Sequence, residues 1–201
     1  MKRRVPDRNN GFSLKLFTFV PFVSLVFRPF PAKNGGAEII YMPSILFVCT
    51  GNLYRSPLAA ARFRQKLREG RRSHSWIVES AGTWTEPGLP IPPEVLLVPE
   101  VRRMDLERHI TRQVNSDLLA GYDLILVMEK GHKEALRIEF PQVAGRLHLL
   151  SELVDGLAYD IQDPLRSGQA LCEVAAEMFR LIDRGYQKIC ESASTLHKDQ
   201  P

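Results

Sequence analysis

Residues 44–49, SILFVC, form an apolar run that does not alternate with polar residues. A strand with one face in water alternates apolar and polar residues, whereas a strand of a parallel sheet is buried on both faces and is apolar throughout. The run is therefore typical of a central strand in a parallel sheet. A second strong run, DLILVM at 123–128, and two weaker ones, WIVES at 76–80 and RLHLL at 146–150, predict three further strands.

Helix-like segments lie between these runs. The pattern predicts helices at 57–69, 93–105, 115–120, 130–139 and from Ser167 to about Ser192. In the last helix, apolar residues recur at helical spacing and predict a stripe that faces the core: Leu171, Val174, Ala175, Met178, Ile182, Tyr186 and Ile189. Strands that alternate with helices predict a single α/β domain with a parallel sheet flanked by helices.

The charge is unevenly distributed along the chain. The whole protein carries a formal charge of +4, but residues 1–42 hold seven Lys or Arg against two Asp or Glu, so they account for +5 and the remainder for −1. Binding to a nucleic-acid backbone needs clustered basic side chains, which a nearly neutral domain does not supply. We therefore expect no nucleic-acid partner.

The first 41 residues differ from the rest in composition. They combine a basic start with an apolar run that Lys15 and Pro21 interrupt, and no run reaches the roughly 18 uncharged apolar residues of a membrane span. We expect an extension at 1–41 that is disordered or lies upstream of a true start at Met42, followed by the functional domain at 42–195. This predicts a cytoplasmic protein without membrane association; the alternative is export or tethering if the extension acts as a signal.

The chain has three cysteines, Cys49, Cys172 and Cys190, and their spacing matches neither a disulfide framework nor a zinc or redox CxxC pair. A reducing compartment fits this pattern. Cys49 is distinctive because it ends the first predicted strand, and ligands of parallel α/β sheets bind at the carboxyl ends of strands.

Residues 49–56, CTGNLYRS, here called the Cys49 loop, have the features of an anion site. Gly51 and Asn52 tolerate positive φ angles, so the loop amides can turn inward and form a concave nest. Pro57 suits the first turn of a helix, and the amino end of that helix adds partial positive charge.

Three side chains of the loop suggest nucleophilic chemistry at that anion. The guanidinium of Arg55 can hold two oxygens of a phosphate, and the same positive surroundings favour the thiolate form of Cys49. Ser56 can donate a hydrogen bond to the thiolate. A phosphoenzyme route also needs a general acid, for which Asp163 in DIQDPLRSG is the best candidate, with Asp160 nearby.

The sequence CTGNLYRSP at 49–57 resembles the signature C-x-G-N-x-C-R-S-P of the low-molecular-weight protein tyrosine phosphatases. Further matches follow in the order of that family: SAGT at 80–83, HITRQ at 109–113, DLILVM at 123–128 and DP at 163–164. The resemblance extends from about Met42 to the last helix. It implies a flavodoxin-like domain with a four-stranded parallel sheet, and no metal or organic cofactor.

The resemblance also implies roles for individual residues. Cys49 would be the nucleophile that forms a phosphocysteine, and Asp163 would be the general acid and then the base that activates water. Ser56 would assist the thiolate. The phosphate would bind to Thr50, Gly51, Asn52, Leu53, Tyr54 and Arg55, and the loop would be braced by Asn52, Ser80 and His109.

The sequence departs from the family pattern at several positions. Tyr54 replaces the second cysteine of the loop, so a protective disulfide with Cys49 cannot form there. Leu165 and Arg166 replace the tyrosines that often follow the acid, and we expect Trp84 and Leu53 to line the substrate instead. Family members that resemble arginine phosphatases carry threonine at the position of Leu53, so Leu53 favours phosphotyrosine.

The leading hypothesis is a cysteine-dependent phosphatase of phosphotyrosine, a phosphoric monoester hydrolase that acts on phosphorylated proteins or small aryl phosphates. Two alternatives share the fold: a protein arginine phosphatase, and an arsenate reductase, which would need a close cysteine pair that Cys172 and Cys190 do not form. A third alternative is a phosphoprotein-binding module without catalysis. Such a module would need neither the thiolate nor the acid.

Overall fold

The computed structural model describes residues 42–198, and within them the four predicted strands form one parallel sheet. The strands are β1 (Ser44–Cys49), β2 (Ile77–Gly82), β3 (Leu124–Val127) and β4 (Leu147–Leu149), in the spatial order β2-β1-β3-β4. Every residue of β1 is buried, as expected for a strand with a neighbour on each side and helices on both faces. The predicted α/β class with a four-stranded parallel sheet is therefore confirmed. The extension predicted at 1–41 lies outside the described residues.

Seven α-helices connect and follow the described strands: α1 (Arg55–Glu69), α2 (Pro93–Leu96), α3 (Ser116–Ala120), α4 (Lys130–Glu139), α5 (Leu150–Asp155), α6 (Pro164–Ser167) and α7 (Leu171–Lys198). Short 3₁₀ turns occur at Ser73–Ser75, Pro99–Arg103 and Pro141–Arg146. No helix of the described residues is both long and apolar enough to span a membrane.

The sheet separates two apolar clusters. Ile45 and Phe47 point to the side covered by α1 and α7, where Phe63 of α1 contacts the ring of Phe47 at a centroid distance of 6.0 Å. Leu46 and Val48 point to the opposite side. This alternation of one strand between two buried layers explains why the sequence of β1 is apolar at every position.

A proline and a glycine change two of the predicted helices, and the last helix also continues to Lys198 instead of ending near Ser192. The segment 93–105 is not one helix, because Pro99 has no N–H and disfavours helical geometry at Val98; it divides into α2 and a 3₁₀ turn. The last helix begins at Leu171 rather than Ser167, because Gly168 adopts a left-handed conformation (φ 71°) that ends α6.

Candidate active site

The Cys49 loop joins the carboxyl end of β1 to the amino end of α1. Cys49 is only 2% exposed and lies opposite Gly82 in the pairing of β1 with β2. The central position of β1 in the sheet therefore fixes where the sulfur lies. Helix α1 begins directly after Tyr54, so its free N–H groups are at the same place.

The carbonyl groups of the loop point outward. The amides of Thr83 and Trp84 donate to the carbonyl oxygens of Cys49 and Thr50 at 2.9 and 3.0 Å, and a ring nitrogen of His109 lies 2.9 Å from the carbonyl oxygen of Asn52. In a trans peptide the N–H points opposite to the preceding C=O. The amides of residues 50, 51 and 53 consequently face the other side, which is the interior of the loop. This is the arrangement of an anion-binding nest.

Gly82 allows the next strand to approach this loop. A Cβ atom at Gly82 would lie 2.5 Å from the carbonyl oxygen of Thr50 and 3.2 Å from the Cβ atom of Asn52. Any larger residue would therefore displace the loop backbone. The glycine of the SAGT segment is required by this close contact.

Asn52 is the centre of the hydrogen bonds that brace the loop. It is fully buried and has a left-handed backbone conformation (φ 54°), which asparagine tolerates better than most residues. Its side-chain amide donates to the hydroxyls of Ser56 and Ser80, both at 3.0 Å, and its side-chain oxygen accepts the amide of Arg112 at 2.9 Å. Every hydrogen-bonding group of this side chain is thus used to hold the loop in shape.

The nucleophile candidate has one close polar partner. The sulfur of Cys49 lies 3.0 Å from the hydroxyl of Ser56, which is itself 3.2 Å from the carbonyl oxygen of Ala81 and receives the amide of Asn52. The amide of Asn52 donates to one lone pair of the Ser56 oxygen. The hydroxyl hydrogen of Ser56 therefore stays free to bond to the Cys49 sulfur or to the carbonyl oxygen of Ala81. Ser56 can therefore stabilise a thiolate at Cys49.

The side chain of Arg55 is 2% exposed, and a guanidinium at that depth requires paired charges and hydrogen bonds. One terminal nitrogen donates to the carboxylate of Glu129 and to the carbonyl oxygen of Ile161, the latter at 2.9 Å. The other donates to Asp163 at 2.7 Å and to the hydroxyl of Thr50 at 3.4 Å. Two carboxylates thus fix the planar fork of Arg55 beside the Cys49 loop.

Asp163 is oriented from two directions. One carboxylate oxygen accepts from Arg55, and the other accepts the amide of Leu165 at 3.0 Å and so caps the short helix α6. Its side chain remains 13% exposed, so the carboxylate still reaches solvent. A group that transfers protons between substrate and water needs both a fixed orientation and this access.

Two histidines contact the loop as neutral rings. Burial lowers the pKa of His109 and His132 below the usual histidine value, so both rings are uncharged at pH 7. Because the carbonyl oxygen of Asn52 can only accept, the Nε2 atom of His109 carries the proton and donates to it. The Nε2 atom of His132 lies 2.9 Å from the hydroxyl of Thr50.

The structure brings most of the predicted site residues together around the Cys49 loop. Cys49, Arg55, Ser56 and Asp163 are linked to the loop by the contacts above, and the loop's interior amides include those of Thr50, Gly51 and Leu53. Ser80 and His109 both hydrogen-bond to Asn52 of the loop. Trp84 is bonded to the loop through its backbone, and 78% of the residue is exposed. Leu53 is half-buried.

The sequence analysis did not identify Glu129 and His132. Both follow the carboxyl end of β3, next to β1 in the sheet, and the rule that selected Cys49 also applies to this strand. Nor did it identify Glu94, which accepts the hydroxyl of Tyr54 at 2.7 Å. Nothing in the sequence signals that contact, because the two residues are forty positions apart. Within residues 42–198 no group of three or more His, Cys, Asp or Glu could hold a metal ion.

Known proteins are similar to this chain in sequence and in fold. The profile of a family described as "Low molecular weight phosphotyrosine protein phosphatase" matches residues 44–200. The probable low molecular weight protein-tyrosine-phosphatase EpsP of Ralstonia nicotianae is 34% identical over 142 residues, which cover 71% of this chain and 90% of that protein. A protein-arginine-phosphatase of Bacillus subtilis is 32% identical over 121 residues, or 60% of this chain and 78% of that one.

A solved structure agrees with the sequence matches. The crystal structure of a low molecular weight protein tyrosine phosphatase from T. tengcongensis superposes with a TM-score of 0.65 at 33% sequence identity. The superposition covers 74% of this chain and 99% of that protein. The similarity therefore includes nearly the whole of the solved domain.

Proposed function

The chain belongs to the low molecular weight phosphotyrosine protein phosphatase family, a family of cysteine-dependent phosphoric monoester hydrolases, and we propose that it hydrolyses phosphotyrosine in proteins through a phosphocysteine at Cys49. The observation that carries the proposal is the position of the Cys49 sulfur, 3.0 Å from the hydroxyl of Ser56 and at the base of a loop whose amides face inward. A phosphate bound by those amides would place its phosphorus atom above the sulfur.

The first step transfers the phosphoryl group to the enzyme. The thiolate of Cys49 attacks phosphorus, the sulfur–phosphorus bond forms and the bond to the tyrosine oxygen breaks. The phosphate takes the place of Asp163 and Thr50 on the outer terminal nitrogen of Arg55, and Asp163, released from that ion pair and protonated, gives its proton to the leaving oxygen. The loop amides and that nitrogen of Arg55 hold the other three oxygens, on which negative charge is spread in the transition state.

The second step releases the phosphate. Asp163, now a carboxylate, takes a proton from a water molecule that attacks phosphorus, and the sulfur of Cys49 leaves as a thiolate. The hydroxyl of Ser56 is within hydrogen-bonding distance of that sulfur and stabilises the returning negative charge. The same carboxylate serves as acid and then base because its protonation state alternates between the steps.

The pairing of Arg55 with Glu129 and Asp163 prepares the site for both steps. The guanidinium is fixed before it meets a phosphate, so little side-chain freedom is lost on binding. Glu129 and the carbonyl oxygen of Ile161 would keep one terminal nitrogen of Arg55 oriented, whereas Asp163 would yield the other nitrogen to the phosphate and remain beside it to exchange protons with the substrate.

Phosphotyrosine and phosphoarginine are the two substrates that the relatives' names suggest. EpsP is named as a tyrosine phosphatase and the Bacillus subtilis relative as an arginine phosphatase. Leu53 favours the first, because an aliphatic side chain at this loop position suits an aryl group and cannot hydrogen-bond to the guanidinium of phosphoarginine. The exposed ring of Trp84, attached to the loop through its backbone, is available to an aryl substrate.

Phosphate release from matched peptides tests the proposal. The full chain should hydrolyse a phosphotyrosine peptide faster than the same peptide with phosphoarginine or phosphoserine, and Cys49→Ser should abolish turnover. Faster hydrolysis of the phosphoarginine peptide would identify the chain as an arginine phosphatase. Turnover by Cys49→Ser would exclude the phosphocysteine route.

Arsenate reduction receives less support. It would need two further cysteines that come together, but Cys172 and Cys190 are both free and lie on helix α7. Eighteen residues of α-helix separate them by about 27 Å. Arsenate-dependent oxidation of a thiol donor would reverse this preference.

We further propose that residues 42–195 are the catalytic domain and that the protein acts on phosphoproteins in the cytoplasm, without a nucleic-acid or membrane partner. The match at 44–200 supports the domain, and the three unpaired cysteines and the charge of −1 after residue 42 support the location and partners. The mass of the protein from its native source, together with cell fractionation, tests these points.

A further inference from the structure

Tyr54 occupies the position at which the family signature has its second cysteine, and its side chain makes contacts that a cysteine could not make. Its ring is half-buried and packs against the apolar cluster on the α1 side of the sheet. Its hydroxyl donates to a carboxylate oxygen of Glu94 at 2.7 Å. The ring is therefore fixed at both ends, by packing at one and by a charge-assisted hydrogen bond at the other.

Glu94 lies in α2, in the middle of the segment 83–110 that crosses beside the Cys49 loop. The start of this segment is bonded to the loop through the amides of Thr83 and Trp84, and its end through His109. The bond between Tyr54 and Glu94 adds a contact between these two anchors. Tyr54 thus spans the gap between the loop and the segment that carries Trp84.

The phenol of Tyr54 stays protonated and can donate to Glu94. Burial, the hydrogen bond to Glu94 and the negative charges of Glu94 and Asp163 together raise the pKa of Tyr54 to about 12. In the chain Tyr54 directly precedes Arg55, whose guanidinium bonds to Asp163, so Tyr54 is adjacent to the arginine of the proposed phosphate site.

Among the described residues, the side chains that follow the acid and that of Trp84 supply no buried aromatic surface. Leu165, after the acid, is 70% exposed and aliphatic, and Arg166 follows it. Trp84 is 78% exposed, so most of its ring has no contacts to hold it. Tyr54 is an aromatic residue of the Cys49 loop whose orientation is fixed by a hydrogen bond.

We propose that Tyr54 is a specificity-determining residue, whose ring is held by Glu94 and forms the wall against which the aromatic ring of the substrate packs. The inference rests on the proposed function, because such a wall has a use only if the bound phosphate carries an aryl group. It assigns to this chain an aromatic contact in place of the tyrosines that commonly follow the acid.

The binding of two phosphate analogues to the full chain tests the wall separately from catalysis. Calorimetric titration with benzylphosphonate measures the affinity that the aromatic ring and the anion provide together. Titration with inorganic phosphate measures the affinity for the anion alone. Tyr54→Leu should weaken benzylphosphonate binding about three- to tenfold, the range expected for loss of one aromatic contact. Phosphate binding should change less than about twofold, since the backbone amide of residue 54 remains.

Substitutions of Glu94 test the wall without touching the loop. Glu94 is exposed, so its substitution carries little risk to folding. Glu94→Ala and Tyr54→Phe both remove the hydrogen bond and should weaken benzylphosphonate binding equally, by less than Tyr54→Leu. Glu94→Gln keeps an acceptor oxygen and should restore binding. Glu100→Gln, an exposed carboxylate on the same segment, is the control and should match the wild type.

If Tyr54→Leu weakens the binding of both analogues equally, or changes neither affinity, the proposed role of Tyr54 as a wall is overturned. An unaltered benzylphosphonate affinity in Glu94→Ala would overturn the role of Glu94. Failure of the proposed function is distinguishable: the wild type would then release no phosphate from a phosphotyrosine peptide, whatever the two titrations show.

Discussion

Individual residues of the Cys49 loop are fixed by more contacts than their chemistry alone requires. Asn52 uses its whole side-chain amide to hold Ser56, Ser80 and the backbone of Arg112, while its own carbonyl accepts from His109. The loop must keep its amides turned inward against their mutual repulsion, and this brace opposes that repulsion. The geometry of the anion site therefore depends on a residue that does not react.

Asn52→Ala should lower both stability and activity. The substitution removes three side-chain hydrogen bonds and leaves the partly buried amide of Arg112 unpaired, so the free energy of unfolding should fall by about 2–4 kcal/mol. The value of kcat/KM should fall about tenfold or more, because the loop amides lose their alignment. Urea denaturation and steady-state kinetics measure these effects.

Asn115→Ala provides the matched control for Asn52. Asn115 caps α3 through a hydrogen bond to the amide of Leu118, so its loss should cost about 1 kcal/mol and leave kcat/KM unchanged. An Asn52 variant that loses stability but keeps full activity would contradict the bracing role.

Tyr54 also affects how the loop responds to oxidation. Hydrogen peroxide converts the Cys49 thiolate to a sulfenic acid and itself to water, and a second equivalent gives an irreversible sulfinic acid. In Tyr54→Cys, the introduced thiol should condense with the sulfenic acid, release water and form a disulfide that dithiothreitol reduces. Activity recovered by dithiothreitol after peroxide should therefore be larger for Tyr54→Cys than for the wild type. Equal recovery would contradict this account.

At the scale of secondary structure, the elements around the site could be predicted because their signals are local. The apolar run of β1 predicted a doubly covered strand, which the burial of all its residues confirms. The helix at 130–139 matches α4 in both limits. The contacts of Arg55 with Glu129 and of Tyr54 with Glu94 could not be predicted, because they depend on how separate loops meet at the edge of the sheet. The division of 93–105 could have been predicted from Pro99.

The packing of α7 against α5 gives a prediction at this scale. A Cβ atom at Gly185 would lie 2.3 Å from a methyl carbon of Val154, which has little rotamer freedom in its helix. Gly185→Ala should therefore lower the free energy of unfolding by about 1–2 kcal/mol, although alanine favours helices by about 1 kcal/mol. Thermal or urea denaturation measures the change.

The double variant Gly185→Ala with Val154→Ala makes the cause testable, because it removes the clashing methyl groups. Its loss in the free energy of unfolding should be smaller than the sum of the losses of the two single variants. Additive losses would show that the close contact does not set the cost.

For the whole molecule, three histidines with a lowered pKa and the carboxylates reduce the stability of the protein in different pH ranges. Burial lowers the pKa of His109, His132 and His148, so the folded protein binds fewer protons than the unfolded chain below the unfolded value of about 6.5. Among the carboxylates, the hydrogen bond from Arg184 lowers the pKa of Asp155 to about 2.

The free energy of unfolding should therefore be constant above about pH 7 and fall as the pH decreases from about 6.5 to 5, where the unfolded histidines take up protons. The carboxylates should add a second loss only below about pH 4. In His132→Gln, which keeps a group able to bond to Thr50, the first loss should be smaller. Urea denaturation at several pH values measures both ranges, and a stability that rises between pH 7 and 5 would contradict the burial of these rings.

The central claim is that Cys49 carries the phosphoryl group during turnover. Rapid mixing of the full chain with a phosphotyrosine peptide, a quench in denaturant and mass spectrometry of the digested enzyme test it directly. The account predicts the added mass of one phosphoryl group on the peptide that contains Cys49, at a level that falls as the substrate is exhausted. A phosphoryl group on any other residue would contradict it. So would turnover that proceeds without a phosphoenzyme and continues in Cys49→Ser.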